Sequence, residues 1–574
     1  MAAYSCSKTH AFFIHFHHFF WPETSRLPEE IMATITYHFP AGLYPNQYNP
    51  PLSGVSVNPS FGELVDMSTG SRSTTTSTSV LYRLDNGLKM KLVGTGFSFD
   101  ASGDAVGGTI TSIEVLLNNG TGLIQTISGL NISLELFQDA SAAFDSSGLE
   151  SWLASGNDTI NGSLGNDEIW GRLGNDVLNG NAGNDLVTGG GGADTYDGGA
   201  GFDILNFQDA YDSPTAIRGI NLNATAGTVV DQFGFSETFQ NFEEFRGTQF
   251  SDSMMGSSVD ETFFGFGGRD NINGGAGIDT VRYDRDFQRG ATKGVSIDLS
   301  TGIATDGFGS RDTLTSIENI RATEFKDTIV GSSAANFLRT FAGNDSINGG
   351  GGSDNMRGGI GNDTYFVDNT GDIVDEAADS GAGTDTVQST VSFNLGNTAV
   401  AKGGVENLVL LGTGNINGTG NALNNTLSGN TGNNTFSGFA GNDTIDGGLG
   451  NDLINGGLGN DSLTGGAGLD TFNFSNALDA TNNVDTINGF VVADDTIRLE
   501  NAVFTGIVGT GTLTAAQFVT NTTGLAADAD DRIIYDSDTG RLLYDSDGDG
   551  AGGSVHFATV GTNLGMTASD FFVV

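Results

Sequence analysis

From Ser155 to Asp203 an aspartate recurs every nine residues: Asp158, Asp167, Asp176, Asp185, Asp194 and Asp203. A glycine stands two positions before each (Gly156, Gly165, Gly174, Gly183, Gly192, Gly201), and an apolar or aromatic residue two positions after (Ile160, Ile169, Leu178, Val187, Tyr196, Leu205). Such a register constrains the fold more than length or composition can, because it dictates where turns and strands alternate. Glycine visits φ > 0 at little steric cost, so the glycine-rich half of each unit reverses the chain. The three residues after it form a minimal strand whose middle side chain points inward. Repetition of one short unit predicts a stacked solenoid. A flexible glycine-rich linker has no reason to keep a nine-residue register.

The frame returns three times. The second block carries Asp252, Glu261, Asp270 and Asp279, with Met254, Phe263, Ile272 and Val281 facing inward. The third carries Asp327, Asn336, Asp345, Asp354 and Asp363, with Ile329, Leu338, Ile347, Met356 and Tyr365 inward. The fourth carries Asn425, Asn434, Asp443, Asp452, Asp461 and Asp470, with Leu427, Phe436, Ile445, Ile454, Leu463 and Phe472 inward. The opening units depart from the pattern: Phe250, Phe325 and Leu423 replace the turn glycine, and asparagine replaces aspartate at Asn425 and Asn434. Terminal repeats of a solenoid are atypical because they cap, so Glu261, Asn336, Asn425 and Asn434 are weak ligand candidates.

Aspartate presents a short, hard, anionic oxygen, the ligand type calcium prefers over nitrogen or sulfur. The turn aspartates therefore face a metal while the residues two positions on form the core. On these motifs the chain resembles the RTX, or haemolysin-type, calcium-binding repeat proteins. The resemblance implies a parallel β-roll with two nonapeptides per coil, ions between stacked turns, and aspartates and backbone carbonyls as ligands. It places Asp158, Asp176 and Asp194 along one edge and Asp167, Asp185 and Asp203 along the other. The remaining expected ligands are Asp252, Asp270 and Asp279 in the second block, Asp327, Asp345, Asp354 and Asp363 in the third, and Asp443, Asp452, Asp461 and Asp470 in the fourth.

The net charge of −46 argues against binding nucleic acid or docking on anionic membranes. Much of that charge sits in the nine-residue frame, where stacked carboxylates repel one another unless a divalent cation neutralises them. A single cysteine, Cys6, excludes an internal disulfide framework; in an exported protein, calcium would replace disulfides as the staple. No apolar run reaches the roughly 18 residues of a membrane-spanning helix. The segment AFFIHFHHFFW from Ala11 to Trp21 contains His15, His17 and His18 and has no small-residue cleavage site, which makes it a poor signal peptide. Residues 1–31 are expected to be a non-native or disordered extension, with Met32 the expected start.

The chain is expected to be all-β: tandem calcium-binding β-rolls with strand-rich connectors, flanked by β-rich terminal regions. Residues 32–150 form an N-terminal module, irregular to Ser79 and then strand-rich, with hairpin turns at Asp85-Asn86-Gly87 and Asn118-Asn119-Gly120. A short amphipathic helix around Leu149 to Leu153 would cap the first roll. The first block spans 151–206. Connectors join the second, third and fourth blocks in 207–282, 283–368 and 369–474. The connectors themselves repeat: GINLNATAGTVVDQFG from Gly219 parallels GVSIDLSTGIATDGFG from Gly294, and NFEEFRG from Asn241 parallels SIENIRA from Ser316, both at an offset of 75 residues.

Residues 475–574 resemble the C-terminal region of secreted serralysin-type proteins. They include a hairpin bearing Asp545, Asp547, Asp549 and Gly550, spaced like the opening of an EF-hand loop but with His556 at its twelfth position. These three aspartates are further candidate calcium ligands. The chain closes on Ala568-Ser569-Asp570-Phe571-Phe572-Val573-Val574, an acidic residue followed by four apolar ones, as uncleaved type I secretion signals look.

The serralysin resemblance suggests a zinc protease, but none of the six histidines (His10, His15, His17, His18, His38, His556) opens an H-E-x-x-H motif. No G-x-S-x-G elbow is present to support a lipase. Carboxylate-only catalysis leaves no linear signature, yet residues 32–150 offer few carboxylates. The expected function is that of a non-enzymatic, secreted calcium-binding protein exported through a type I apparatus. The alternatives are an exported enzyme with a small catalytic module in 32–150, and an adhesin or matrix protein that binds surface polysaccharide through its rolls.

Overall fold

Strands of three residues cannot stand alone; each gains its hydrogen bonds only from the coil before and the coil after. The computed structural model describes residues 34–37, 71–83, 89–101, 105–116, 123–133, 137, 156–211, 215–378, 381–549 and 552–574. Residues 1–31 with Cys6 and the histidine cluster, the helix expected at Leu149 to Leu153, the two expected hairpin turns and Gly550 lie outside the described residues.

The fold is all-β. On one face of the roll Thr159–Asn161, Val177–Asn179 and Thr195–Asp197 stack in parallel, each 18 residues after the last. On the opposite face Glu168–Leu173, Leu186–Gly191 and Ile204–Asn206 do the same. Alternation sends the middle residue of each strand inward. Every inward residue of the four blocks, from Ile160 to Phe472, is at most 1% exposed. The core is therefore a thin layer of two facing columns of side chains, one from each face.

The blocks join into one continuous stack because the connectors supply strands of their own. After Ile204–Asn206 the chain forms an antiparallel meander of Asn221–Asn223, Thr228–Val230 and Ser236–Gln240. Its last strand stacks on the preceding coil, pairing Tyr196 with Phe239. Its first strand receives the next coil, pairing Leu222 with Met254. Glu244–Arg246 then continues the opposite face from Ile204–Asn206. Ser296–Asp298, Ile303–Thr305, Arg311–Thr315 and Asn319–Arg321 repeat this arrangement 75 residues later. The duplication read in the connectors is thus a duplication of strands and of their pairing. The connectors belong to the roll; they are not excursions between separate rolls.

One face runs unbroken from Thr34–Tyr37 to the C-terminal strands. The other changes sheets once: an 11-stranded sheet ends at Ala401–Lys402 and an 8-stranded one begins at Phe393–Asn394. At the N-terminal end Ser71–Thr75, Ser79–Arg83, Lys89–Phe99, Ala105–Leu116 and Leu123–Ser133 form an antiparallel meander. Thr34–Tyr37 ties this meander to the roll, pairing antiparallel with Gln125 to Ser128 and parallel with Thr159–Asn161. At the other end Ile533–Asp536, Arg541–Tyr544 and Val555–Thr559 pack over the last coils. Phe557 there meets Phe474 and Phe504 edge-on, with ring centroids 5.1 and 5.3 Å apart. Phe571–Val573 pairs in parallel with Ile497 to Leu499 and buries Phe571 and Val573 in the core.

Candidate metal centres

The turns carry two ladders of carboxylates, one along each edge of the roll. In each rung the backbone N–H of one turn residue donates to Oδ1 of the aspartate 18 residues later. Asp158 donates to Asp176 and Asp176 to Asp194 on one edge, at 2.7 and 2.8 Å. Asp167 donates to Asp185 and Asp185 to Asp203 on the other, at 2.7 and 2.8 Å. The second, third and fourth blocks continue the ladders: Asp252 to Asp270, Asp327 to Asp345 to Asp363, Asp443 to Asp461, and Asp452 to Asp470. The bond fixes one carboxylate oxygen and turns the other into the coil.

That second oxygen is buried and has no hydrogen-bond partner in Asp176, Asp185, Asp203, Asp270, Asp279, Asp345, Asp354, Asp363, Asp443, Asp452, Asp461 and Asp470. A buried anionic oxygen left unpaired is costly, so the same defect at so many equivalent positions calls for a common counter-charge. The turn glycines let each carboxylate come close to the stacked coil. A Cβ placed on Gly171 would sit 2.6 Å from both Asp176 Oδ2 and the Gly189 carbonyl. A Cβ on Gly447 would sit 2.5 Å from Asp452 Oδ2 and 2.6 Å from the Gly465 carbonyl. Neither glycine has a positive φ; the missing side chain is what these positions require. A carboxylate and a carbonyl of the next coil thus converge on the same glycine, an all-oxygen donor set suited to a hard cation such as calcium. Without a cation, burial pushes the carboxyls of Asp176, Asp185 and Asp345 up to about 8, and the flanking aspartates add repulsion.

Other rungs are satisfied by the protein itself. Ser163, Thr248 and Thr323, four residues before Asp167, Asp252 and Asp327, cap both oxygens of these aspartates with a backbone N–H and a hydroxyl. Tyr196 donates its hydroxyl to Asp194 Oδ2. Asn336, Asn425 and Asn434 keep the ladder bond through their backbone N–H. Their side-chain amides donate to the carbonyls of Glu318, Glu406 and Ile416 in the preceding coil, at 2.8, 3.1 and 2.6 Å. Glu261 holds its rung to Asp279 and accepts the Ser257 N–H at its own carboxylate.

The ladders also recruit acids that the nine-residue frame does not reach. By the same backbone bond Asp203 donates to Glu243, Asp270 to Asp312, Asp279 to Glu318, Asp363 to Asp385, Asp385 to Glu406, Asp461 to Asp485 and Asp470 to Asp495. Each acceptor has an apolar residue two positions on, the same local signature with irregular spacing. Asn241 and Ser316 stand where the turn glycine would precede Glu243 and Glu318, and both hold positive φ (60° and 51°).

The C-terminal trio is arranged differently. Asp545 Oδ1 accepts the backbone N–H groups of Asp547 and Gly548, an aspartate turn closed on itself. Asp547 and Asp549 are exposed. His556 Nε2 bonds the Ala558 carbonyl and Thr559 hydroxyl instead of facing the loop.

The sequence matches the RTX calcium-binding nonapeptide repeat (4 copies) over residues 154–187, 170–205, 246–281, 321–356, 330–365, 419–454 and 448–476. Those segments are the coils described above, so this part of the chain carries RTX calcium-binding nonapeptide repeats. No curated protein matches it. Among solved structures the chain is similar to the crystal structure of extracellular lipase LipA from Serratia marcescens, at 16% identity over 73% of this chain and a TM-score of 0.15. The match spans 40% of that lipase's length, and at this TM-score it carries no argument about fold or activity. No helix among the described residues is long and apolar enough to cross a membrane.

Proposed function

We propose that this is a secreted, non-catalytic protein whose roll folds on calcium outside the cell. The observation that carries the reading is the row of buried, unpartnered aspartate oxygens, which, Asp345 aside, lie so close to a turn glycine that no side chain fits there. Asp176, Asp185, Asp203, Asp270, Asp279, Asp345, Asp354, Asp363, Asp443, Asp452, Asp461 and Asp470 would hold the ions together with carbonyls of the stacked turn. Calcium supplies the positive charge that offsets their mutual repulsion and burial. The ligand geometry does not exist in an unfolded chain, so binding free energy becomes folding free energy. Extracellular calcium modules bind at roughly 10⁻⁴ to 10⁻³ M, so the roll stays open at cytosolic calcium and closes at about millimolar levels.

This dependence suits export of an unfolded chain through a type I channel, directed by a serralysin-like C-terminal region. The pairing of Phe571–Val573 with the last sheet is compatible with such a role, since the strand would pair only after export. Surface polysaccharide is a further partner to test, by retention of the calcium-loaded protein on it. The deciding experiment for calcium-driven folding is circular dichroism of the full chain in chelator and in millimolar calcium. A large gain of β signal with calcium is expected, and an unchanged spectrum would refute the reading. Export is tested separately by co-expression with a type I apparatus: deleting residues 515–574 should abolish it, and removing residues 1–31 should not.

A further inference from the structure

We propose that Asp363, Glu376 and Asp385 form a divalent-cation site of a second kind, a side-chain cage that clamps the third connector to the roll. The proposal rests on the calcium reading above and takes one turn aspartate, Asp363, from it; Glu376 is what the nonapeptide turn does not supply. One carboxylate oxygen from each of the three residues lies within 4.8 Å of the other two, and all three residues are buried, at most 3% exposed. Among the described residues this is the one place where three such groups converge so closely. The RTX repeat match breaks off at residue 365 and resumes at residue 419, so Glu376 and Asp385 lie outside it. The Tyr365 hydroxyl accepts the Gly358 N–H and donates to Glu376 Oε1, which fixes the glutamate in place.

Each carboxylate has an oxygen left over or turned toward the others. Asp363 Oδ1 accepts the Asp345 N–H and Asp385 Oδ1 accepts the Asp363 N–H, at 2.8 Å each. Asp363 Oδ2 and Glu376 Oε2 are buried with no hydrogen-bond partner. A Cβ on Gly381 would sit 2.6 Å from Glu376 Oε2, so only glycine fits beside that oxygen. The nearby cations are engaged elsewhere: Arg357 and Lys402 both pair with Asp375, at 3.5 and 3.4 Å. Three carboxylates and a phenol, with no nitrogen or sulfur, suit calcium or another hard divalent cation better than zinc or copper.

The position gives the ion a task. Glu376 directly follows Ile373–Asp375, and its N–H donates to the Lys402 carbonyl at 2.7 Å. This is where the 11-stranded sheet ends and the other sheet of that face takes over. An ion here ties the connector to the coil of Asp363 and holds the junction between the two sheets.

The test measures calcium retained per full-length chain after equilibrium dialysis, by elemental analysis, for wild type and Glu376→Gln. The variant should retain one ion fewer with an unchanged circular dichroism spectrum, and calcium should slow hydrogen exchange across residues 373–402 in wild type but not in the variant. Equal calcium content, or loss of several ions, overturns the proposal while leaving the turn sites standing. A wild type that retains no calcium overturns both readings. Should Glu376→Gln fail to fold, Tyr365→Phe removes the hydroxyl that orients Glu376 without altering charge. It should raise the calcium concentration that protects residues 373–402 severalfold, and an unchanged concentration overturns the proposal.

Discussion

Asn434 and Asp452 occupy successive rungs of the same ladder, joined by a 2.7 Å bond from the Asn434 N–H to Asp452 Oδ1. Asn434 closes its own turn: its amide donates to the Ile416 carbonyl and its oxygen accepts the Asn430 N–H. Asp452 keeps the backbone bond but leaves Oδ2 buried and unpaired. One rung is complete as a neutral hydrogen-bonded unit, while the other is complete only with a positive charge. The roll thus mixes turns closed by their own hydrogen bonds with turns that, in the proposed reading, wait for an ion. Asparagine and the Ser/Thr-capped aspartates cluster near block starts: Asp252, Asp327 and Asn425 open the second, third and fourth blocks on rungs closed by the protein's own hydrogen bonds.

The largest effect should come from withdrawing calcium. At an ion concentration 100 times its Kd, one site contributes about 2.7 kcal/mol, and many such sites act on a single thin core. Thermal melts of the full chain in chelator should show loss of most of the cooperative transition seen in millimolar calcium. A melt that chelator leaves unchanged would remove the distinction between the two kinds of rung.

The pH response should reverse sign with calcium. In the metal-free chain, burial raises the carboxyls of Asp176, Asp185 and Asp345 to about 8, above the roughly 3.9 of an unfolded aspartate. A raised folded value means the folded state binds protons more tightly. The resulting stability is fully present below about pH 4 and is lost as pH rises through about 8. In chelator the melting temperature should therefore fall between pH 5 and pH 8. In calcium it should rise over the same range, because ions and protons compete for the same oxygens. Parallel trends in the two conditions would contradict the account.

Single substitutions sharpen the contrast further. Asp345→Ala or Asp452→Ala removes an ion ligand and should raise the calcium midpoint of folding severalfold. Gly447→Ala should act in the same direction by pressing on the Asp452 carboxylate and the Gly465 carbonyl, with an added packing cost of about 1–3 kcal/mol. Asn336→Ala deletes only neutral hydrogen bonds, each worth about 1 kcal/mol, and should leave the calcium midpoint nearly unchanged. Equal midpoint shifts for Asp452→Ala and Asn336→Ala, measured by calcium titration, would show that the aspartate is not the binding code.

Much of this was legible in the sequence because the frame couples two signals, a glycine that permits the turn and an apolar residue that must point inward. Together they locate every strand of the four blocks and the columns from Ile160 to Phe472. Glu243, Glu318, Asp385 and Glu406 escaped because the connectors stretch the spacing to 40, 39, 22 and 21 residues along the ladder. Hydrogen bonding depends on which turns stack, not on how many residues separate them. The capped state of Asp167, Asp252 and Asp327 follows from the hydroxyl residue four positions earlier, a signal the nine-residue frame does not use. The single continuous stack was hidden for a similar reason: strand pairing across a connector meander is a tertiary fact that local periodicity does not encode.

Anomalous diffraction from crystals grown with terbium in place of calcium tests the central claim most directly. The account predicts peaks beside Oδ2 of Asp443, Asp452 and Asp461, close to their turn glycines, and none beside Asn425 or Asn434. Peaks at the asparagine rungs of equal height, or an empty aspartate ladder in a folded chain, would contradict it.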